Sequence, residues 1–192
     1  LADEEQGVRL MKPIPDLDDL LARAKAARIF GTKMRSVIMS ADSDGIAAIV
    51  DQQFGIGRRI TAAGLVPILE PEIDIKAPDK GRCEELLMDA IGRHLLADDT
   101  GGPIMFKLTI PEVDGFYTPL IEHPEVVRVV ALSGGYSRAE ANERLARNPG
   151  LIASFSRALT EGLHADMTAE QFDQALAESI ASFAEPNGTW IT

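Results

Sequence analysis

The chain of 192 residues is long enough to bury one substantial core, and its 45% hydrophobic residues are typical of a globular protein. Its formal net charge of -11 repels polyanions, so nucleic acid and anionic membrane surfaces are not expected partners. With one cysteine and three widely separated histidines, the sequence excludes an intrachain disulfide and predicts no metal site. Without a long apolar run or a secretory leader, we expect a soluble cytoplasmic protein.

The first third of the sequence predicts two helices around one strand. Apolar side chains at helical spacing predict a helix over residues 17 to 28, with Asp16 as its N-cap and no strand before it. Residues 30 to 39 predict a strand, in which a period of two places Lys33 and Arg35 on one face. A long helix is predicted over residues 44 to 63.

The middle of the sequence continues the alternation of strands and helices. The apolar run at residues 65 to 69 ends in Glu70-Pro71-Glu72, and Pro67 within it argues against an ordinary central strand. A helix is then predicted over residues 79 to 97, a strand over 103 to 109, a short helix near 114 to 121 and a strand over 127 to 132.

Two capping boxes mark helix starts in the last third. The first, at residues 137 to 140, opens a helix, and the second, at residues 168 to 171, precedes a closing helix that ends near residue 183. Between them we expect a short strand over residues 151 to 155 and a helix over 156 to 163. Repeated βα units of this kind imply a parallel sheet covered by helices.

The spacing of the strands predicts a barrel. The polar residues that end the five apolar runs are 37, 37, 26 and 24 residues apart: Lys33, Glu70, Lys107, Ser133 and Arg157. A (β/α)8 TIM barrel allots about 31 residues to each unit, which equals the mean of these intervals. Because only five strands are predicted, we expect residues 1–192 to form a single α/β domain, the C-terminal part of a barrel with strands 4 to 8 and the closing helix.

Several charged side chains at these strand ends are candidates for chemistry. Lys107 lies inside an apolar strand, where burial favours the neutral, nucleophilic amine; the alternative is a lysine that guards a strand edge. Glu70 and Glu72 suit a general acid and base, or are two exposed loop glutamates. Lys33 and Arg35 suit an anion site, or end a solvated strand.

The two last strands are followed by candidate phosphate-binding residues. Ser133-Gly134-Gly135 would expose backbone N–H groups to a phosphate, although a plain turn needs the same glycines. Counted back from the last strand, this segment follows strand seven and Ser156-Arg157 follows strand eight, the loops that commonly bind phosphate in barrel enzymes. Together with the lysines and the glutamates, these residues predict carbanion chemistry on a phosphorylated ketone through a Schiff base.

Five segments, in the right order and over nearly the whole chain, resemble class I fructose-1,6-bisphosphate aldolase of the bacterial type. They are FGTKMRSVI (30–38), GLVPILEPE (64–72), MFKLTIP (105–111), LSGGYS (132–137) and ASFSRAL (153–159). The resemblance implies a (β/α)8 barrel that reversibly cleaves fructose 1,6-bisphosphate into dihydroxyacetone phosphate and glyceraldehyde 3-phosphate, in glycolysis and gluconeogenesis. It also implies that the reaction needs no metal or other cofactor.

The resemblance assigns roles to the charged candidates. Lys107 matches the lysine that forms the Schiff base, Glu70 the general acid and base of carbinolamine dehydration, and Glu72 the neighbouring glutamate that assists. Lys33 matches a second active-site lysine whose charge helps to hold Lys107 neutral. Arg35 matches a cation near the far phosphate.

The resemblance also indicates which residues bind the ketone-side phosphate, and that the family uses two further residues that this sequence does not supply. Ser133, Gly134, Gly135 and Arg157 match the clamp on the ketone-side phosphate, and Ser156 stands where many relatives have a glycine. The family also uses an aspartate from its first strand and a lysine from its third, and we predict neither strand here. A phosphorylated sugar is the expected substrate, and a homo-oligomer the expected state.

Two other interpretations of the sequence remain open. A different Schiff-base barrel enzyme, similar to transaldolase or to deoxyribose-phosphate aldolase, would share the use of Lys107 but gives no reason for Glu70-Pro71-Glu72. An inactive half-barrel that binds phosphate or a partner chain would be consistent with only five strands, since an open barrel exposes unpaired strand edges.

Overall fold

A computed structural model of the chain describes residues 1–97 and 100–184, with the side chains of residues 183 and 184 left aside. The strands among these residues are β1 (Val8–Arg9), β2 (Gly31–Ile38), β3 (Val66–Ile73), β4 (Ile104–Thr109), β5 (Val126–Leu132) and β6 (Ile152–Ala153). The helices are α1 (Leu17–Ala26), α2 (Ser43–Ala62), α3 (Lys80–Leu96), α4 (Thr118–Ile121), α5 (Arg138–Ala146) and α6 (Ala169–Ala184). The predicted alternation of strands and helices is confirmed.

The strands form one sheet in which they follow one another in chain order, from β1 to β6. Strands β2 to β6 are parallel, whereas β1 runs antiparallel to β2 and pairs Val8 with Ile38. The five predicted strands are therefore confirmed, but the expectation of no strand before α1 was wrong. A two-residue strand is too short for any periodicity to reveal, and its pairing depends on the edge that β2 offers.

Helices α2 and α3 cover one face of the sheet. Gln53 of α2 donates to the hydroxyl of Ser36 in β2 at 3.0 Å, and the ring of Phe54 packs 6.3 Å from that of Phe106 in β4. The residues that alternate with these, Lys33 and Arg35 in β2, lie on the opposite face and are exposed. The predicted common face of the two cations is confirmed, because side chains of a strand alternate between its two sides.

Strand β3 is a central strand despite its two prolines, so the argument drawn from Pro67 was wrong. The strand pairs with β2 over eight residues but with β4 over only two. The N–H of Val66 points to β2 and that of Ile73 to β4, and this direction alternates along a parallel strand. The missing N–H groups of Pro67 and Pro71 therefore both fall on the β4 side, where the ladder is short.

Ser137 caps α5 and the second capping box is complete, but residues 156 to 163 do not form the predicted helix. Thr168 and Gln171 cap each other reciprocally at 3.0 and 3.2 Å, directly before α6. The segment after β6 forms turns instead: the Thr160 hydroxyl bonds main-chain carbonyls, and Gly162 has a φ of 86°. Both features compete with regular helical hydrogen bonding.

No helix within the described ranges combines the length and hydrophobicity that a membrane-spanning helix needs.

Candidate active site

Lys107 is the fourth residue of β4 and points away from the helices. Its neighbours in the strand, Phe106 and Leu108, are completely buried against the helix layer. Strand alternation therefore directs Lys107 to the opposite face, where its side chain is 17% exposed. Lys107 is therefore not an exposed lysine at the edge of the sheet, although water still reaches part of its side chain. Its strand lies between β3 and β5.

The Glu70 carboxylate joins two lysines from the strands on either side of it. Its Oε2 lies 2.5 Å from Nζ of Lys33 in β2, and its Oε1 lies 3.2 Å from Nζ of Lys107 in β4. The Glu70 side chain is 4% exposed, so the two amines supply its charge partners in place of water. The structure thus brings together Lys107, the expected nucleophile, Glu70, the expected general acid and base, and Lys33, the expected second lysine of the site.

Arg35 and Glu72 form a second ion pair on the same face. Nε of Arg35 lies 2.6 Å from Oε2 of Glu72, and the two side chains are 45% and 13% exposed. The hydrogen bond that Arg35 donates to Glu72 raises the pKa of Arg35, against a smaller opposing effect of burial. Arg35 therefore keeps its positive charge beside the Glu70 carboxylate, which also favours the cation.

These groups line a cavity of about 230 Å3. The lining residues are Arg35, Glu70, Glu72, Lys107, Leu132, Ser133, Gly134, Ser154, Ser156 and Arg157. Eight of the ten sequence candidates are among them. The other two are Lys33, which bonds to Glu70 and lines a second cavity of about 390 Å3 between α1, α2 and β2, and Gly135, the residue after Gly134.

The turn after β5 has a backbone that requires glycine. Gly134 has a φ of 62° and Gly135 a φ of 121°, and a Cβ on Gly134 would lie 2.6 Å from Cγ2 of Ile75. Any side chain there would clash with Ile75, which lies in the loop after β3. The turn thus depends on glycine at position 134, which lines the cavity together with Ser133.

The sequence analysis placed three charged residues at the ends of their strands, whereas the structure places them within the strands. Lys33, Glu70 and Lys107 were expected at the strand ends, but β2, β3 and β4 continue for two to five residues beyond them. These three side chains point away from the helices, because side chains alternate along a strand and the buried apolar residues occupy the side that faces the helices. Ser133 does follow β5 directly, and Arg157 lies four residues beyond β6.

Two residues of the cavity were not foreseen. Leu132 ends β5, and Ser154 follows β6, where its N–H donates to the carbonyl of Ala131 at 2.8 Å. The spacing of Ser154, two residues before Ser156 in an extended segment, could have shown that both hydroxyls share one face. Its role as a lining residue adds a third hydroxyl beside Ser133 and Ser156.

The amino-acid sequence is similar to those of curated proteins from several bacteria. The chain is 59% identical over 180 residues to a fructose-bisphosphate aldolase class 1 from Synechocystis sp., covering 94% of this chain and 60% of that relative. It is 55% identical over 189 residues to a fructose-bisphosphate aldolase class 1 from Clostridium acetobutylicum, covering 98% of this chain and 64% of the relative. The chain thus spans less than two thirds of the length of these curated relatives. No protein-family model matches it.

A solved structure gives the same fold. A fructose-bisphosphate aldolase from Plasmodium falciparum, solved with TRAP and a small-molecule inhibitor, superposes with a TM-score of 0.65 at 20% identity. The likeness covers 97% of this chain and 68% of that one. At this identity it speaks for the fold alone, and it confirms the expectation of an α/β fold that forms part of a (β/α) barrel.

Proposed function

Because the chain is homologous to the class I fructose-bisphosphate aldolases over nearly all its length, we propose that its polypeptide reversibly cleaves fructose 1,6-bisphosphate through a Schiff base on Lys107. The observation that carries the proposal is the Glu70 carboxylate held between Lys33 and Lys107 at the wall of a cavity that also contains two arginines. A nucleophilic amine, a proton carrier and an anion site are what a phosphorylated ketone requires.

We assign strands β2 to β6 to strands 4 to 8 of the barrel and α6 to its closing helix, with residues 1–192 as a single domain. This assignment is supported by five parallel strands in chain order and by the 60 to 64% of the relatives' length that the chain spans. The aspartate and the lysine that the family takes from its first and third strands would then come from the remaining part of the barrel.

The Schiff-base steps follow from the positions of the two side chains. The neutral Lys107 amine attacks the ketone carbon, and the Glu70 carboxylate, 3.2 Å away, takes the proton that the nitrogen loses as the ketone oxygen becomes the carbinolamine hydroxyl. Glu70 then returns this proton to the hydroxyl, which leaves as water and gives the iminium. The iminium then accepts the electron pair of the C3–C4 bond as the C4 hydroxyl gives its proton to the Glu70 carboxylate, which releases glyceraldehyde 3-phosphate and leaves an enamine. Protonation of the enamine at C3 and hydrolysis of the iminium release dihydroxyacetone phosphate and restore Lys107.

The other charged residues bind and orient the substrate. Lys33, 2.5 Å from Glu70, adds a positive charge that favours a neutral Lys107. Glu72 holds Arg35 for the far phosphate, and Arg157 provides charge-assisted hydrogen bonds to the near one. The near phosphate also contacts the Ser133 and Ser156 hydroxyls and the open backbone of Gly134 and Gly135.

The substrate is a phosphorylated sugar, and the reaction proceeds without a metal or another cofactor. A homo-oligomer in the cytoplasm is part of the same proposal. The substrate, the absence of a cofactor and the oligomer rest on the sequence resemblance, and the cytoplasmic location rests on the expectations from the sequence composition. Nucleic acid is not a partner, because the net charge of -11 opposes binding of a polyanion.

The proposal is tested by mass spectrometry of the 192-residue chain after incubation with dihydroxyacetone phosphate and borohydride. Borohydride reduces the iminium to a stable amine, so we expect one adduct, on a peptide that contains Lys107. Persistence of the adduct in a Lys107→Met variant, or activity that requires zinc and is lost with EDTA, would contradict the mechanism. Lys76→Met, at an exposed lysine in the loop after β3, is the matched control.

The open β2 edge of a five-stranded partial barrel favours the second candidate, a half-barrel that binds phosphate or a partner chain without turnover. Strand β1 pairs with only two of the eight residues of β2 on that side, so most of the edge lacks a neighbouring strand among the described residues. This candidate predicts saturable binding of inorganic phosphate in a titration monitored by NMR, together with no borohydride adduct.

A further inference from the structure

The strands that carry Glu70 and Lys107 are joined by a short main-chain ladder. Between β3 and β4 the register contains two pairs, Ile68 with Met105 and Leu69 with Phe106, and regular pairing stops before Pro71. By comparison, β3 pairs with β2 over eight residues and β4 with β5 over six. Main-chain hydrogen bonds therefore connect β3 to β4 over fewer residues than they connect β3 to β2 or β4 to β5.

The Thr109 side chain provides the missing connection between these two strands. Its hydroxyl donates to the carbonyl of Ile73 at 2.7 Å and accepts from the N–H of Ile73 at 3.0 Å. The Thr109 side chain, at the end of β4, thus forms hydrogen bonds with both the N–H and the carbonyl of Ile73, the last residue of β3. Thr109 is 1% exposed and Ile73 is completely buried, so water cannot replace these bonds.

Thr109 is itself held from two other directions. The Tyr117 hydroxyl, which is also buried, donates to the Thr109 carbonyl at 3.3 Å. The Thr109 methyl group lies 3.7 Å from the position that a Cβ on Gly134 would take, at the turn after β5. The residue therefore connects the end of β3, the strand of Lys107 and the proposed phosphate turn.

We propose that Thr109 is a positioning residue that keeps the Lys107 amine within reach of the Glu70 carboxylate. Thr109 follows Lys107 by two residues in β4, and its bonds to Ile73 fix β4 to β3 three residues beyond Glu70. Loss of the hydroxyl leaves one donor and one acceptor of Ile73 unpaired in the core, and the two strands separate to let water reach them. The catalytic consequence rests on the proposed function, whereas the geometric one does not.

The geometric claim is tested first, without any substrate. Lysines of the 192-residue chain are reductively methylated with 13C-formaldehyde, and the Lys107 signal is assigned by its loss in Lys107→Arg. Glu70→Gln gives the signal position in the absence of the carboxylate. We expect Thr109→Val, which keeps the shape and the methyl group, to move the Lys107 signal toward that position and to speed amide exchange at Ile73. Thr109→Ser should restore both, and Thr109→Ala makes the same test if the valine variant unfolds.

The matched control is Thr118→Val, because the Thr118 hydroxyl bonds only the carbonyl of Gly115, on the surface. An unchanged Lys107 signal in Thr109→Val, or an equal shift in Thr118→Val, would overturn the proposal. In the borohydride assay we then expect Thr109→Val to form the Lys107 adduct about tenfold more slowly than the serine variant. If the parent chain forms no adduct, the proposed function fails, while the NMR result still decides the role of Thr109.

Discussion

Nζ of Lys107 lies 3.2 Å from Oε1 of Glu70, on the neighbouring parallel strand. The contact follows from strand register: Leu69 is paired with Phe106, so the next position along each strand places Glu70 beside Lys107. Both side chains point to the face opposite the helices, where the Glu70 carboxylate is 4% exposed. The buried Glu70 carboxylate thus contacts the Lys33 amine on one side and the Lys107 amine on the other. Its negative charge is the central electrostatic feature of the site.

Lys107→Met is expected to abolish borohydride trapping of dihydroxyacetone phosphate while the fold persists. Methionine keeps the length and the apolar stem of the side chain, and Glu70 retains Lys33 as its partner at 2.5 Å. The carboxylate is therefore not left unpaired, and we expect the free energy of unfolding to change by no more than about 1 kcal/mol. Trapping is measured by mass spectrometry and stability by urea unfolding; full trapping in the variant would disprove the Schiff-base role.

Glu70→Gln is expected to slow trapping by about a hundredfold or more, since general acid–base groups contribute at least this much. Glutamine retains the shape of the side chain but brings no charge to Lys33 and Lys107 and carries no dissociable proton. The rate of adduct formation at fixed substrate concentration measures the effect. Glu122→Gln, at an exposed glutamate, should trap at the parent rate. A Glu70→Gln rate equal to that of this control would show that Glu70 takes no part in proton transfer.

The sequence was sufficient for the five parallel strands and for most of the helices between them, but not for the distances between the candidate residues. Alternation placed Lys33 and Arg35 on one face, because a strand has a period of two. The 3.2 Å contact of Lys107 with Glu70 depends on the register between two strands, which local patterns do not contain. Thr109 escaped notice for a related reason, since a threonine inside an apolar run is typical of any buried strand.

Proline and short elements account for the errors in the fold. Pro67 was taken as evidence against a central strand, yet its missing N–H faces the side of β3 where the ladder to β4 is short. Its effect depends on which neighbour each N–H faces, and that depends on register. The helix expected after Ser156 failed because side-chain bonds from Thr160 and the left-handed backbone at Gly162 favour turns.

Arg157→Ala is expected to weaken phosphate binding without altering the fold. A charge-assisted hydrogen bond of the guanidinium contributes about 1.5–3 kcal/mol, so the dissociation constant for inorganic phosphate should rise about tenfold or more. The KM for the phosphorylated substrate should rise with it, whereas Schiff-base chemistry on Lys107 should persist at saturation. Binding is measured by NMR titration. Arg82→Ala, at an exposed arginine paired with Glu85, should leave phosphate binding unchanged; equal losses in both variants would argue for a general charge effect.

Cys83 is expected to resist alkylation in the folded chain. Burial, followed by the charge of Asp79, raises the pKa of its thiol to about 12. At pH 8 only about one thiol in ten thousand would be the reactive thiolate. Labelling by iodoacetamide, followed by mass spectrometry, should therefore be slow in buffer and fast in urea. Asp79→Asn should accelerate labelling only slightly, because burial is the larger cause. Equal rates in buffer and in urea would contradict the buried position.

Glu84 is expected to make the folded chain less stable as the pH rises from about 4. The Glu84 carboxylate is buried against Lys80, which also donates to the carbonyl of Ile110. Burial raises the pKa of Glu84, although the hydrogen bond and the charge of Lys80 oppose this. The folded state therefore holds the proton more strongly than the unfolded state, so its stabilising effect is complete below the unfolded pKa and is lost as the pH passes the folded pKa.

Glu84→Gln removes this titration, because glutamine stays neutral at every pH. The difference in the free energy of unfolding, parent minus variant, should fall as the pH rises from about 4 through the raised pKa and should be constant above it. Urea unfolding at a series of pH values measures this difference. Glu85→Gln, at the neighbouring exposed glutamate, should give no such slope. A difference that increases with pH would show that the charge of Lys80 outweighs burial and that the folded state prefers the carboxylate.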